Sequence, residues 1–333
     1  MFLRKKTMSA VVYHSYGTPD VLTVADVDRP EVGKGKVLIR VHASPVTQGD
    51  RRMRAADFPG FLAIFGRLMT GLSRPRHSIP GTNFAGEVVE VGQGVTQFEE
   101  GDRVFGACGH GAHAQYLCVD ADSAFTKMPE GTGFEEMADV PYGAGTALRF
   151  LRDIGEIQSG DRVAIVGAAG GVGRHGVQLA KHLGAEVTAV SRGSDADFVR
   201  SLGADAVVDY KLQPFPGDEG PFDIIFDTSG TLHFSDCRDA LTEDGRFLSL
   251  LMSLDLLAHM AWTAIRGGKR AMTGVALESR EILDDLAELV AEGALTPVVD
   301  RTFPLVRIRD AHQRLEERHP GGSVVVMPGT SAG

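Results

Sequence analysis

Hydrophobic residues follow two different periods along the chain, and the change between them lies near residue 130. Before it, apolar or β-branched runs bounded by Gly, Pro or Asp predict strands at 11–13, 37–41, 87–91 and 115–119. Helical periodicity in this part is limited to stretches of 51–76. The pattern therefore predicts a β-rich domain over 1–130.

From residue 131 strands and helices alternate. Apolar runs predict strands at 162–166, 186–190, 206–208, 222–226 and 246–250, and helical spacing predicts helices at 172–183, 195–202 and 233–242. Alternation of this kind is typical of a parallel, doubly wound sheet with right-handed crossovers. The predicted fold class is α/β, with this second domain at 131–278.

The tail returns to the β-rich pattern. A helix through Ile282 and Leu286 ends at Gly293, and strands are predicted at 296–305 and 323–327. A β-rich head and tail around an α/β middle indicate one discontinuous domain, 1–130 with 279–333, interrupted by the second.

Charge and composition narrow the range of partners. The 333 residues include 44 acidic and 34 basic ones, a formal net charge of −10, which repels nucleic acid and anionic membranes, so neither is expected as a partner.

Three cysteines are too few for a disulfide framework. The N-terminus lacks the apolar stretch of a signal peptide. The most apolar window, 247–265, contains Asp255 and His259 and is interpreted as a helix beside an apolar pocket. A cytoplasmic protein is expected.

Glycine makes up 41 of the 333 residues, against an average of about 7%, and part of the excess forms one cluster. After the predicted strand 162–166 and before a helix stand Gly167, Ala168, Ala169, Gly170, Gly171, Val172 and Gly173. Small residues let the backbone approach a pyrophosphate, and a helix N-terminus offers free N–H groups. A tight turn without a ligand is the alternative, but strand, glycines and helix together favour dinucleotide binding.

The end of the second strand of this domain bears on the choice between NAD and NADP. NAD sites usually carry Asp or Glu there to hold the ribose 2′-hydroxyl, whereas this chain has Ser191 and Arg192. Arg192 can pair with a 2′-phosphate, and Ser191 can donate a hydrogen bond to it. The sequence therefore favours NADP(H) as the cofactor. The alternative is that Arg192 is a solvated loop residue.

With the glycine cluster behind a β-rich head, the sequence resembles the medium-chain dehydrogenase/reductase superfamily, and most closely its zinc-free quinone oxidoreductase and enoyl reductase branch. The likeness covers about residues 8–327 and is carried by the glycine cluster and by 16–22, 81–88, 101–106, 145–148, 202–205 and 209–210. It implies a GroES-like substrate domain from head and tail, a Rossmann domain between them, and a site in the cleft. It also implies a homodimer made by edge strands of the Rossmann sheets, here at 270–276.

The same resemblance implies the cofactor contacts. Thr146 would lie near the nicotinamide, and Gly170, Gly171 and Val172 at the pyrophosphate. Ser191, Arg192 and Tyr210 would hold the adenosine phosphate. The ribose and nicotinamide would be bordered by Thr228, Leu250, Leu251 and Met252, and Asn83 is a further candidate contact.

The segment 46–50 reads Val-Thr-Gln-Gly-Asp where members of the family commonly have Val-Asn-Pro-x-Asp. Thr47 is predicted to donate a hydrogen bond to a developing enolate oxygen, with solvent completing the proton transfer. Asp50 is predicted to orient Thr47 or a substrate group. An equal alternative for Asp50 is a turn carboxylate that caps backbone N–H groups.

No metal is expected. Zinc-dependent members of the family have a Cys and a His-Glu pair where this chain has 46–48 and Thr82-Asn83. The one local cluster of zinc-type ligands is Cys108, His110 and His113, without an evident fourth ligand.

Residues 51–76 carry six arginines and one acid. These arginines either steer an anionic ligand or form a solvated helical face.

These observations predict an NADPH-dependent, zinc-independent oxidoreductase that transfers hydride to a small electrophilic substrate: a quinone, enone or alkenal. Such a reaction needs near-attack geometry and hydrogen bonds to the developing oxyanion more than acid–base machinery. Two alternatives stay open. One is an NAD(P)-dependent alcohol dehydrogenase-like enzyme, and the other is a non-enzymatic NADPH-binding redox sensor.

Overall fold

The structure, a computed structural model, describes residues 6–58, 62–275, 278–317 and 321–329, and of residues 62 and 65 the backbone alone. The strands are β1 (Thr7–Val12), β2 (Thr23–Asp28), β3 (Lys36–Val46), β4 (Asn83–Val91), β5 (Arg103–Ala107), β6 (Tyr116–Asp120), β7 (Phe125–Lys127), β8 (Arg162–Val166), β9 (Glu186–Ser191), β10 (Ala206–Asp209), β11 (Phe222–Asp227), β12 (Leu241–Ser249), β13 (Arg270–Met272), β14 (Val299–Pro304) and β15 (Ser323–Met327). The helices are α1 (Gln48–Ala55), α2 (Leu62–Thr70), α3 (Phe134–Leu148), α4 (Gly173–His182), α5 (Ala196–Ser201), α6 (Phe234–Cys237), α7 (Leu254–Arg266), α8 (Arg280–Ala291) and α9 (Ile308–Glu316).

The chain forms two compact units. The first comprises Met1–Tyr142, Glu278–Ala291 and Pro297–Gly333, and the second comprises Gly143–Leu277 and Glu292–Thr296. The first break falls after Tyr142, inside α3, and not at residue 130, where the hydrophobic pattern changes. When the boundary between two units falls within one continuous helix, the hydrophobic period does not change there. The sequence pattern therefore cannot show the boundary.

The second unit contains a six-stranded sheet in the order β10-β9-β8-β11-β12-β13, with every pair parallel. Numbered from β8, this is the order 3-2-1-4-5-6 of a doubly wound dinucleotide-binding fold. The central strands β8 and β11 are almost wholly buried, because a parallel sheet carries helices on both faces. The predicted parallel sheet and α/β class are confirmed.

The first unit is built on a mainly antiparallel sheet in the order β14-β15-β3-β4-β5-β7, with β6 also paired to β3 and a separate β1–β2 pair. Strand β15 from the tail pairs antiparallel with β3 from the head, Val325 opposite Pro45. The main core of this unit packs Ile39, Phe84 and Phe125 between the strands. The C-terminal residues are therefore part of the sheet that supports the start of α1.

The helix predicted at 233–242 is wrong in its second half. Helix α6 ends at Cys237 and strand β12 begins at Leu241. Phe234, Cys237 and Leu241 are all buried in one core. Their spacing imitates a helical period, although Leu241 reaches that core from a strand paired with β11.

Helix α3 went unpredicted because Pro141 and two glycines interrupt its pattern. None of the helices in the described ranges is long and apolar enough to cross a bilayer.

Candidate functional site

The glycine cluster forms the turn between β8 and α4. Gly167 has φ +77°, the left-handed region that favours glycine. The N–H groups of Gly167 and Ala168 both donate to the Val190 carbonyl, at 3.0 and 3.2 Å, and thereby tie the turn to β9. Gly170 N–H donates back to the Gly167 carbonyl at 2.9 Å. The turn is held by its own backbone, and the Gly170 N–H is part of that framework.

Gly171 and Gly173 each require or favour glycine, but for different structural reasons. A Cβ at Gly173 would lie 2.1 Å from the Gly167 carbonyl oxygen, so only glycine lets α4 approach the turn this closely. Gly171 is exposed, and a Cβ there would meet nothing nearer than an Arg174 nitrogen at 3.9 Å. Gly173 thus allows backbone packing, whereas Gly171 leaves the surface of the turn bare.

The N-terminus of α4 offers free donors at this bare surface. Its N-cap, Val172, provides no side-chain cap. Within the described part of the chain no group accepts a hydrogen bond from the N–H of Gly171 or Val172. Uncapped N–H groups and the positive end of the helix dipole suit an anion. The residues present therefore fit the pyrophosphate of a dinucleotide.

A cationic and aromatic cluster stands at the carboxyl ends of β9 and β10. Arg192 Nε donates to the Tyr210 hydroxyl at 3.1 Å, and the Lys211 ammonium lies 5.2 Å from the centre of the Tyr210 ring. Tyr210 N–H donates to the Ser191 carbonyl at 3.2 Å, which fixes the two strand ends together. The nearby acid, Asp209, accepts from the Lys211 backbone N–H at 2.9 Å.

The structure thus brings Ser191, Arg192 and Tyr210 together, as predicted from the resemblance. It adds Lys211, which sequence reasoning missed. The sequence signal that could have identified Lys211 is its position, because it is a second cation directly after the predicted tyrosine. Two cations with a hydroxyl donor form a group of side chains that suits an anion.

The remaining predicted cofactor residues of the second unit lie on the same edge of the sheet, because the carboxyl ends of parallel strands share one edge. Thr228 follows β11, and its hydroxyl donates to the Val166 carbonyl at 2.7 Å, so it braces the glycine turn. Leu250 follows β12 and donates its N–H to the Asp227 carbonyl at 3.2 Å. Leu251 and Met252 continue this loop.

Thr146 is placed by helix α3. A Cβ at Gly143 would lie 2.7 Å from the Gly171 carbonyl oxygen, so α3 passes directly against the glycine turn. Thr146 is buried and lies about one helical turn further along α3. It therefore belongs to the surroundings of the turn.

Thr47 and Asp50, in the first unit, form a capping box at the start of α1. Asp50 N–H donates to Thr47 Oγ1 at 3.1 Å, and Thr47 N–H donates to Asp50 Oδ2 at 2.9 Å. The Thr47 hydroxyl also donates to Asp50 Oδ2, at 2.6 Å. Both residues are buried. The hydroxyl proton of Thr47 is thus engaged within the helix cap.

A hydroxyl has one proton, and Asp50 holds that of Thr47 in this structure, so the role predicted for Thr47 as a hydrogen-bond donor to substrate stays a prediction. For Asp50 the structure shows the alternative of a carboxylate that caps backbone N–H groups.

Asn83 extends this polar network at the start of β4. Its side-chain amide donates to Thr82 Oγ1 at 2.8 Å, and Thr82 Oγ1 lies 3.4 Å from Asp50 Oδ1. Asn83 is buried, and its Oδ1 has no hydrogen-bond partner among the described residues. A buried acceptor of this kind is costly to leave unpaired. Asn83 thus has the capacity to accept a hydrogen bond from a ligand.

Glu278 is a titratable group that sequence reasoning missed. Burial raises the pKa of its carboxyl. Burial is also the main cause that raises the pKa values of the half-buried Tyr142 and Cys108, and the charges of Asp50 and Glu278 add to it. No motif in the sequence marks Glu278.

The side chains of Cys108, His110 and His113, the cluster of zinc-type ligands in the sequence, point to different places. The Cys108 thiol donates to the Thr82 carbonyl at 3.5 Å, and the exposed His110 ring stacks on His77 with 3.6 Å between centroids. His113 is buried, and its Nε2 donates to the Pro45 carbonyl at 3.2 Å. Over the ranges that the structure describes, no three His, Cys, Asp or Glu side chains form a metal-binding group.

Arg54, one of the six arginines of 51–76, is buried and structural. Its guanidinium donates to the Gly17 carbonyl at 3.1 Å, to His312 Nδ1 at 3.0 Å and to Glu316 at 2.5 Å. Since arginine only donates, His312 accepts through Nδ1 and is neutral. Burial is the main cause that lowers the pKa of His312 well below its usual value, and it also lowers that of His113.

Comparison with known proteins agrees with this geometry. The family described as "Alcohol dehydrogenase GroES-like domain" matches residues 33–130, and that described as "Zinc-binding dehydrogenase" matches residues 202–326. The chain is 30% identical to the chloroplast envelope quinone oxidoreductase homolog of Arabidopsis thaliana, over 97% of this chain and 99% of that protein. It is 29% identical to the NADPH-dependent alkenal/one oxidoreductase of the same plant, over 97% of this chain and 80% of that protein.

Among solved structures, the quinone oxidoreductase from Coxiella burnetii superposes with a TM-score of 0.84 at 30% identity, covering 97% of this chain and 99% of that one. The predicted GroES-like and Rossmann composition is thereby confirmed. The chain belongs to the medium-chain dehydrogenase/reductase superfamily, in its quinone oxidoreductase-like branch, and is an oxidoreductase that uses a nicotinamide cofactor.

Proposed function

We propose that this protein is an NADPH-dependent, zinc-independent reductase of conjugated, electron-poor acceptors, namely quinones, enones or alkenals. The observation that carries the choice of NADPH is the cluster of Arg192, Tyr210 and Lys211 at the strand ends where NAD sites hold an acid. The acceptor class is supported by relatives that are named as quinone and alkenal/one oxidoreductases.

The chain's own residues bind and orient the cofactor. The bare backbone at Gly171 and the free N–H groups at the start of α4 receive the pyrophosphate, while Arg192 and Lys211 neutralise the 2′-phosphate. Bound NADPH supplies the hydride. The protein's part is then to hold the acceptor in near-attack geometry and to keep competing water out.

The proton that completes the reduction needs a source other than Thr47, whose hydroxyl proton is held by Asp50. Solvent completes the proton transfer in this proposal.

A substrate panel tests the function. NADPH oxidation is followed at its absorbance band against quinones, enones, alkenals, saturated aldehydes and saturated ketones. The proposal expects turnover of the first three classes and little of the last two. Preferred reduction of saturated carbonyls would favour an alcohol dehydrogenase, and NADPH binding without any turnover would favour a redox sensor.

We also propose that the protein is a homodimer. Strand β13 is the terminal strand of the six-stranded sheet, and its outer edge has no partner strand among the described residues. The segment predicted to pair was 270–276. Of this segment, Arg270–Met272 forms β13, and residue 276 lies outside the described ranges. Light scattering on the purified protein tests this: a mass of twice 35.6 kDa is expected, and a monomer would refute it.

A further inference from the structure

Helix α2 presents a stripe of large apolar side chains to solvent. Ile64 is 73% exposed, Leu68 48% and Leu72 66%, and Met69 beside them is 63% exposed. Residues 64 and 68 are spaced by four and so share one face of α2, and Leu72 lies in the turn that follows the helix. We call Ile64, Leu68, Met69 and Leu72 the α2 stripe. Water contacts an unusually concentrated apolar surface here.

The other side of α2 is held firmly to the first unit. Gly66 packs so closely on the Phe58 ring that a Cβ would lie 2.4 Å from it. The Tyr16 hydroxyl donates to the Gly71 carbonyl at 2.7 Å, and the Arg67 guanidinium lies 5.6 Å from the centre of the Tyr16 ring. The exposure of the α2 stripe is therefore the result of a defined orientation of the helix.

Positive charge surrounds the stripe. Residues 58–86 contain no Asp or Glu, although the chain as a whole carries a net charge of −10. Arg67, Arg74 and Arg76 are exposed, and the structure shows neither Arg74 nor Arg76 in an ion pair with any described acid. Because screening limits electrostatic attraction to about 8 Å in physiological salt, charge close to α2 acts on an approaching partner more strongly than the net charge of the whole chain.

We propose that α2 binds an anionic lipid bilayer, with the α2 stripe in the outer acyl region and Arg74 and Arg76 against the lipid phosphates. An apolar helical face with arginines beside it is the arrangement of helices that lie in the membrane interface. This inference departs from the expectation from net charge that a membrane is not a partner. It rests on the proposed function only for the biological reason to bind a membrane, which is that hydrophobic quinones and alkenals concentrate in bilayers.

A second copy of the chain is a poorer occupant. Two-fold symmetry brings the same patch of both subunits together. Pairing of two α2 stripes would therefore place the arginines of one copy near those of the other, and no acid in 58–86 offsets them. Lipid phosphates supply the missing negative charge.

Vesicle flotation tests the proposal with the full-length protein. We expect binding to phosphatidylcholine vesicles that contain one quarter phosphatidylglycerol, weak binding to pure phosphatidylcholine, and release of protein as salt is raised. Ile64→Glu/Leu68→Glu should lower the partition coefficient more than tenfold. Arg74→Gln and Arg76→Gln should each lower it about fivefold. The matched control is Val306→Glu, at an apolar residue of the same unit that is 54% exposed, and it should bind like wild type.

Three results would overturn the proposal. The first is vesicle binding that is absent, or equal in wild type and Ile64→Glu/Leu68→Glu. The second is a wild-type dimer that the double variant converts to a folded monomer, which assigns the stripe to a second copy. The third is loss of turnover of a water-soluble quinone in the double variant without lipid, which assigns the stripe to the acceptor site. A wild type that binds vesicles as expected but reduces no acceptor leaves lipid binding supported and refutes the proposed function.

Discussion

A methyl group added at Gly173 is expected to disturb the fold at the proposed phosphate turn. The new Cβ would lie 2.1 Å from the Gly167 carbonyl oxygen and 2.8 Å from Ala168 Cα. Both are backbone atoms, so relief requires α4 to move away from the turn, and overpacking of this kind costs about 1–3 kcal/mol. Alanine in a helix recovers about 1 kcal/mol of this. We expect Gly173→Ala to lower the free energy of unfolding by up to about 2 kcal/mol, or Tm by about 4–8 °C.

Gly171→Ala is the matched control, because its Cβ would meet only an Arg174 nitrogen at 3.9 Å. Thermal unfolding without cofactor should match wild type. Calorimetric titration should show NADPH binding weakened about ten- to hundredfold, since the methyl group obstructs an N–H to phosphate hydrogen bond worth about 1.5–3 kcal/mol. Wild-type Tm in Gly173→Ala, or wild-type NADPH affinity in Gly171→Ala, would refute the assignment of the turn.

Three further predictions concern the first unit and the metal. Thr47→Val should lower the free energy of unfolding by about 1 kcal/mol through loss of the helix cap, with kcat retained, and Thr47→Ser should restore stability; lost turnover at unchanged stability would return Thr47 to catalysis. Burial lowers the pKa values of His113 and His312. Below pH 6.5 these two imidazoles are therefore protonated in the unfolded state and stay neutral in the folded state. Urea titrations from pH 7.5 to 5.5 should show the free energy of unfolding falling by up to about 2.7 kcal/mol per pH unit, and a flat profile would contradict two buried neutral imidazoles. Turnover should survive dialysis against a strong chelator, whereas stoichiometric zinc with activity lost on its removal would contradict zinc independence.

The doubly wound sheet could be predicted because its signals are local. Each central strand is a short, mainly apolar run, and the glycine cluster follows the first of them directly. Parallel order places the ends of β8, β9, β11 and β12 on one edge. The residues of the cofactor site that are far apart in sequence were assigned from the family resemblance.

The sequence could not decide the role of Thr47 and Asp50, because one sequence pattern has two meanings. Thr47-x-x-Asp50 is also the signature of a helix capping box, and the structure shows that use of it. Glu278 could not be found from sequence, because its raised pKa results from burial in the fold. Arg54 looked like one of several surface arginines, and only the fold places it against His312 and Glu316.

The measurement that tests the central claim most directly is the affinity of wild type and Arg192→Asp for NADPH and for NADH. Wild type should bind NADPH at least about tenfold more tightly than NADH, because a charge-assisted pair with the 2′-phosphate is worth about 1.5–3 kcal/mol. Arg192→Asp should weaken NADPH binding about a hundredfold or more, since it also adds a repelling charge, and should leave NADH binding nearly unchanged. Equal affinities for the two cofactors in both proteins would contradict the account.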